Sequence, residues 1–115
     1  MTTSVQSLAS WLLERITEDE AAARKAVPSP WRIDDDGCCV FAPEGRGDDV
    51  AEMTWDSAEH IARWQPARVL AECEAKRALL RWYGDGSDVG DGGQFLCLLA
   101  VPYADREGFR EEWAV

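Results

Sequence analysis

The chain carries one histidine, His60, and four cysteines, Cys38, Cys39, Cys73 and Cys97, the residue types that hold transition metals or act as bases and nucleophiles. Histidine is the side chain most often used as a general base, and His60 is a plausible one in isolation. Catalysis also needs a nucleophile or an orienting carboxylate beside it, and no motif in the sequence supplies one. Asp56 at i−4 and Trp64 at i+4 would give His60 local partners on a helix, so a structural or surface role is the preferred reading. Structural zinc sites show C-x₂₋₄-C pairs; here Cys38 and Cys39 are adjacent while Cys73 and Cys97 stand alone. Cys73 on an apolar helix face and Cys97 inside FLCLLAV are positions where a free thiol acts as a small hydrophobe. Neither a metal nor any other cofactor is expected.

The segment DGSDVGDGG places Asp85, Asp88 and Asp91 close together and invites a calcium reading. An EF-hand loop needs oxygen ligands at its fifth position and a glutamate at its twelfth, and counting from Asp85 these are Val89 and Leu96. The glycines also lack the order of a phosphate-binding loop. A flexible, solvated Gly/Asp-rich loop over 84–94 is the expectation. Acid runs at Asp34 to Asp36 and at Glu111 with Glu112 read as solvated faces rather than acid–base pairs.

Six tryptophans, Trp11, Trp31, Trp55, Trp64, Trp82 and Trp113, are dense for 115 residues. They fit a small core that buries area with large side chains, and some fit exposed anchors for a partner, because tryptophan is enriched at binding hot spots. Trp64 and Trp82, near helix ends and partly off the apolar face, are the candidates for such a partner surface, with His60 beside them.

These residues must be positioned by elements that the pattern outlines. Thr3 and Gln6 fit a capping box, and Val5, Leu8, Leu12 and Ile16 recur at helical spacing, which predicts a helix to about Ala26 before Pro28 and Pro30. WRIDDDGCCVF predicts a hairpin of Trp31 to Ile33 against Cys38 to Phe41 around Asp36-Gly37. Pro43 ends it, residues 44–49 read as a polar loop, and VAEMTW allows a third strand. Asp56 and Glu59 form a second capping box for a short helix through Trp64, and Pro66 suits the first position of a long helix. On that helix Val69, Leu70, Cys73, Leu80 and Tyr83 share a face, and Glu72 and Lys76 are set to pair. FLCLLAV, residues 95–101, is open between strand and helix. Asp105 is expected to cap a last helix in which Phe109 and Trp113 are i, i+4 partners.

Composition bounds the rest. At 46% hydrophobic and 30% charged residues, 115 residues suit one folded domain, 1–115, with a single modest core. A formal charge of −10 opposes attraction to phosphate backbones and anionic lipid, so direct nucleic-acid binding is disfavoured. No apolar run approaches the roughly 20 residues of a membrane span. The start lacks the positively charged region of a secretory signal, which points to the cytoplasm and to reduced thiols.

The blocks SLASWLLERITEDEAAAR, HIARWQPARVLAECEAKRALL and LLAVPYADREGFREEW, in that order, resemble an uncharacterised family of small actinobacterial and phage-associated proteins, a domain of unknown function. The resemblance covers most of the chain and is weakest at the hairpin and the glycine loop. It implies a shared fold and a link to mobile elements, and it carries no activity, cofactor or catalytic residue with it. Members of the family commonly show a second histidine and an aspartate where this chain has Trp64 and Gln65. A histidine pair is thus absent here, and the cap before Pro66 is weaker than an aspartate would make it.

The expected fold is α+β and mainly helical, with three to four helices and a small antiparallel β-hairpin or meander, the first helix packing on the 66–83 helix. The expected function is that of a non-enzymatic interaction or accessory protein that binds another protein. Two alternatives stand beside it: an acidic mimic of nucleic acid that blocks a DNA-binding enzyme, and a small enzyme using His60.

Overall fold

Ser7 starts the first helix by accepting the Ser10 amide on its Oγ at 3.1 Å. Helix α1 runs Leu8–Lys25, with Arg24 and Lys25 in its last turn against the negative end of the helix dipole. The computed structural model describes residues 7–34, 39–42, 49–52, 55–84 and 92–115, so the box expected at Thr3 and Gln6, with Val5, lies outside the described residues. So do the Asp36-Gly37 turn with Cys38, most of the polar loop, Met53 and residues 85–91 of the glycine loop.

The expected hairpin is present and carries a third strand. β1 (Arg32–Ile33), β2 (Cys39–Phe41) and β3 (Asp49–Glu52) form an antiparallel sheet in sequence order. Ile33 faces Val40 in register, and β3 pairs with β2 across an irregularity between Val40 and Phe41. Asp34 closes the first pair, donating its amide to the Cys39 carbonyl at 3.0 Å while its Oδ1 accepts the Cys39 amide at 3.4 Å.

Three α-helices come after the sheet: α2 (Trp55–Arg63), α3 (Pro66–Gly84) and α4 (Gly92–Ala100). α2 begins at Trp55, so Asp56 sits inside the first turn and complements the dipole there instead of capping it. Pro66 opens α3 as its spacing predicted, since the first helical position needs no amide hydrogen. FLCLLAV resolves as helix; nearly continuous apolar residues suit either state, and only tertiary packing decides between them. The fold is α+β and mainly helical.

By internal packing the chain divides into two units, residues 1–17 with 75–115, and residues 18–74. In the unit of residues 18–74, α2 lies against β1 and β2. Val40 at the middle of β2, Ala42, and Ala58 on α2 are fully buried; alanine at 58 lets the helix approach the sheet closely. Cys73 is buried as a small apolar side chain.

The other unit is organised around Trp11, which is 2% exposed and sits with buried Leu12 and Ile16 on one face of α1. Its ring meets Phe109 at 5.8 Å and Trp113 at 5.3 Å between centroids, and its Nε1 donates to the Glu107 carbonyl at 3.3 Å. The α-helix expected from Asp105 to Trp113 does not form. Turns succeed the 3₁₀ segment Val101–Tyr103, and a second 3₁₀ segment spans Glu111–Trp113. Gly108 is the physical reason: its φ is +91°, which ends helical geometry, and a Cβ there would stand 2.7 Å from Trp11 Nε1. Phe109 and Trp113 still touch edge to face at 5.7 Å, so the spacing identified the pair but not the backbone that joins it. Within the same unit Arg77 on α3 donates to Thr17 Oγ1 on α1 at 2.7 Å, and Lys76 donates to the hydroxyl of buried Tyr103 at 2.8 Å. Lys76 therefore does not pair with Glu72, which takes Arg68 one turn earlier.

Two substitutions test this packing. Leu80→Asp places a carboxylate in a buried position of α3 and is expected to abolish cooperative unfolding; a thermal transition near the parent's would contradict it. Gly108→Ala combines a positive φ with a clash on Trp11 and is expected to cost about 2 kcal/mol in denaturant titration, whereas a neutral result would mean the turn is not built as described.

Candidate functional site

The unit of residues 18–74 turns a sharp corner between α2 and α3, and the candidate residues gather there. Trp64 comes just after the end of α2, its amide donating to the Ile61 carbonyl at 3.1 Å. Its side chain is 45% exposed. The Arg68 guanidinium lies 4.1 Å from the ring centroid, close enough for a cation–π stack worth about 0.5–1 kcal/mol at such a site. Arg68 is itself held, its Nε donating to Glu72 Oε2 at 3.2 Å and its Nη1 to the Arg63 carbonyl at 3.5 Å. The His60 ring approaches Trp64 at 6.4 Å and 45°. An indole fixed in this way loses little rotamer freedom when something covers it.

The corner is fastened by backbone contacts that the sequence did not advertise. The Gln65 side chain accepts the Trp31 amide on Oε1 at 3.0 Å and donates from Nε2 to the Ala62 carbonyl at 3.1 Å and, more weakly, to the Trp31 carbonyl at 3.4 Å. The Gln65 carbonyl takes the Arg68 and Val69 amides, which opens α3. Ala67, in the first turn, gives its amide to Ser29 Oγ at 3.0 Å. The weak cap expected of Gln65 is thus made good by a serine from the loop after α1. Trp31 Nε1 donates to the Val27 carbonyl at 2.7 Å and holds that loop in shape. Ser29 and Arg68 were missed, and Gln65 was read only as a weak cap, because the Ser29 and Gln65 contacts act across more than thirty residues of chain; only the i, i+4 spacing of Trp64 and Arg68 was available as a signal.

Of the other candidates, His60 and Asp56 are exposed on α2 and form no ion pair among the described residues; Glu59 beside them pairs with Arg63 at 3.0 Å. Trp82 lies on α3 in the other unit and is 74% exposed. Trp64 and His60 are therefore neighbours within the unit of residues 18–74, and Trp82 is an exposed ring on α3. Among the described residues Cys39, Cys73 and Cys97 form no disulfide, and no group of three or more His, Cys, Asp or Glu is placed to hold a metal ion. Asp85 and Asp88 lie outside the described residues, as does Asp91. Glu111 and Glu112 are exposed, Glu112 pairing with Arg110.

Because its ring is half in solvent, Trp64→Ala is expected to change unfolding free energy by less than about 1 kcal/mol. A loss of more than about 3 kcal/mol, as for a core tryptophan, would contradict the surface placement.

Comparison with known proteins places the chain without naming an activity. No helix of the described residues is long and apolar enough to cross a membrane. No curated protein and no solved structure gives a significant match. A family model described as a family of unknown function matches residues 5–115, almost the full length. The chain belongs to that family of unknown function, DUF6221.

Proposed function

We propose that this protein is a non-enzymatic interaction protein that binds another protein through the α2–α3 corner, with Trp64 as the anchor and His60 at its edge. One observation carries the reading: Trp64 is 45% exposed yet held under Arg68 at 4.1 Å, a prepared aromatic surface rather than a stray side chain. Two i, i+4 ion pairs, Arg63 with Glu59 and Arg68 with Glu72, flank the ring and leave the corner nearly neutral on a chain of charge −10. An approaching protein meets little repulsion there. The link to mobile elements that the resemblance implies, and a cytoplasmic setting, belong to the same reading.

A second reading is an acidic decoy that imitates nucleic acid, favoured by the formal charge of −10. The two differ in salt response, because a decoy complex weakens steeply as salt rises and a tryptophan-anchored complex does not. An enzyme using His60 is the least supported alternative; no loss on His60→Ala of whatever activity is found would remove it.

Affinity capture from the native host with the full chain and its Trp64→Ala variant tests the proposal. A stoichiometric partner should be held by the parent and lose at least about 30-fold in affinity with the variant, with little dependence on salt. Undiminished binding by Trp64→Ala would overturn the reading, and binding that collapses with salt would favour the decoy.

A further inference from the structure

Helix α3 is apolar on two opposite faces, one of them buried or half-buried and the other exposed. Val69, Leu70, Cys73 and Leu80 point to one side, where they are buried or half-buried. On the far side Ala75, Ala78, Leu79 and Trp82 recur at i, i+3, i+4 and i+7, and all four are exposed, Leu79 by 37% and Trp82 by 74%. No charged residue interrupts this stripe, although charged residues make up 30% of the chain. A surface helix of an acidic protein would ordinarily carry its charges there.

We propose that this face of α3 docks on the same face of a second copy of this chain, the two helices antiparallel about a twofold axis between Ala78 and Leu79. The commitment to a second copy rests on self-complementarity in size and in charge. An antiparallel twofold at that point sets Trp82 over the second copy's Ala75 and Leu79 over the second copy's Ala78, so each large side chain meets a small one. A parallel arrangement would stack Trp82 on itself and leave a gap at Ala75. Glu74 and Arg81, seven residues apart and both exposed, lie along one flank of the stripe, and neither makes an ion pair among the described residues. The same twofold carries Glu74 of one copy beside Arg81 of the other, twice. This pairing is independent of the foreign-partner reading, which uses Trp64; it assigns Trp82 separately.

A contact of a few helical turns is smaller than the roughly 1,000 Å² of a stable interface, so the dimer is weak, half-formed somewhere below about 1 mM. Sedimentation equilibrium of the full chain from about 10 µM to about 1 mM reads it directly, with the thermal transition of each variant as the check on folding. The parent's average mass should climb toward twice the monomer. Ala78→Glu, a charge at the twofold on an exposed position, should hold the chain monomeric throughout with an unchanged thermal transition. Arg81→Glu should weaken association by about threefold or more, and Glu74→Arg with Arg81→Glu should restore it to near the parent's. A parent that is monomeric at every concentration overturns the proposal, also where a foreign protein is captured and then lost on Ala78→Glu, which would give the face to that partner. Association unaffected by Ala78→Glu, or a charge swap that fails to restore it, overturns it as well.

Discussion

The primary amide of Gln65 is the contact on which the unit of residues 18–74 depends. It occupies the one break between α2 and α3, where two helix ends leave backbone groups without partners. From there it reaches the backbone of Trp31, at the entrance to β1, and the Ala62 carbonyl in the last turn of α2. Each such bond is worth about 0.5–1.5 kcal/mol net, but an unsatisfied donor or acceptor at the same place would cost more. Ser29 adds a second tie by taking the Ala67 amide. Together they fix the loop after α1 against the corner, and the corner sets where Trp64 stands.

With the corner fixed, chemically identical side chains divide the labour. Trp11 is surrounded by Phe109 and Trp113, its indole nitrogen spent on the Glu107 carbonyl. Trp31 is partly buried and spends its nitrogen on the Val27 carbonyl. Trp64 carries a guanidinium on its face and keeps much of its surface in solvent. Burial with a satisfied N–H makes a tryptophan a structural element, whereas exposure on a fixed corner suits Trp64 to the partner contact proposed for it.

Much of this was legible in the residues. Pro66 marked the start of α3, Asp36-Gly37 pointed to the hairpin that β1 and β2 form, and the spacing of Leu8, Leu12 and Ile16 marked the buried side of α1. The failures have physical causes. Asp105 to Trp113 has helical spacing, but Gly108 must pass close against the Nε1 edge of Trp11, and that requirement comes from a residue almost a hundred positions away. Glu72 had two cations within one turn, Arg68 and Lys76, and spacing alone could not say that Tyr103 would claim Lys76. At the candidate site, His60 and Trp64 were visible as neighbours one turn apart, Arg68 was overlooked because a proline break hides continuity of spacing, and Gln65 was legible only as a weak cap because its partner Trp31 lies more than thirty residues away.

If the corner is a fixed structure rather than a hinge, the Trp31 amide reports on it most directly. Hydrogen exchange measured residue by residue in the native protein should show that amide protected to about the level of the Val40 amide in β2, because Gln65 Oε1 holds it as a strand partner would. Exchange of the Trp31 amide at the rate of an exposed loop, with Val40 still protected, would mean that Gln65 does not fasten the corner and that Trp64 lacks the fixed place on which the proposed partner surface rests.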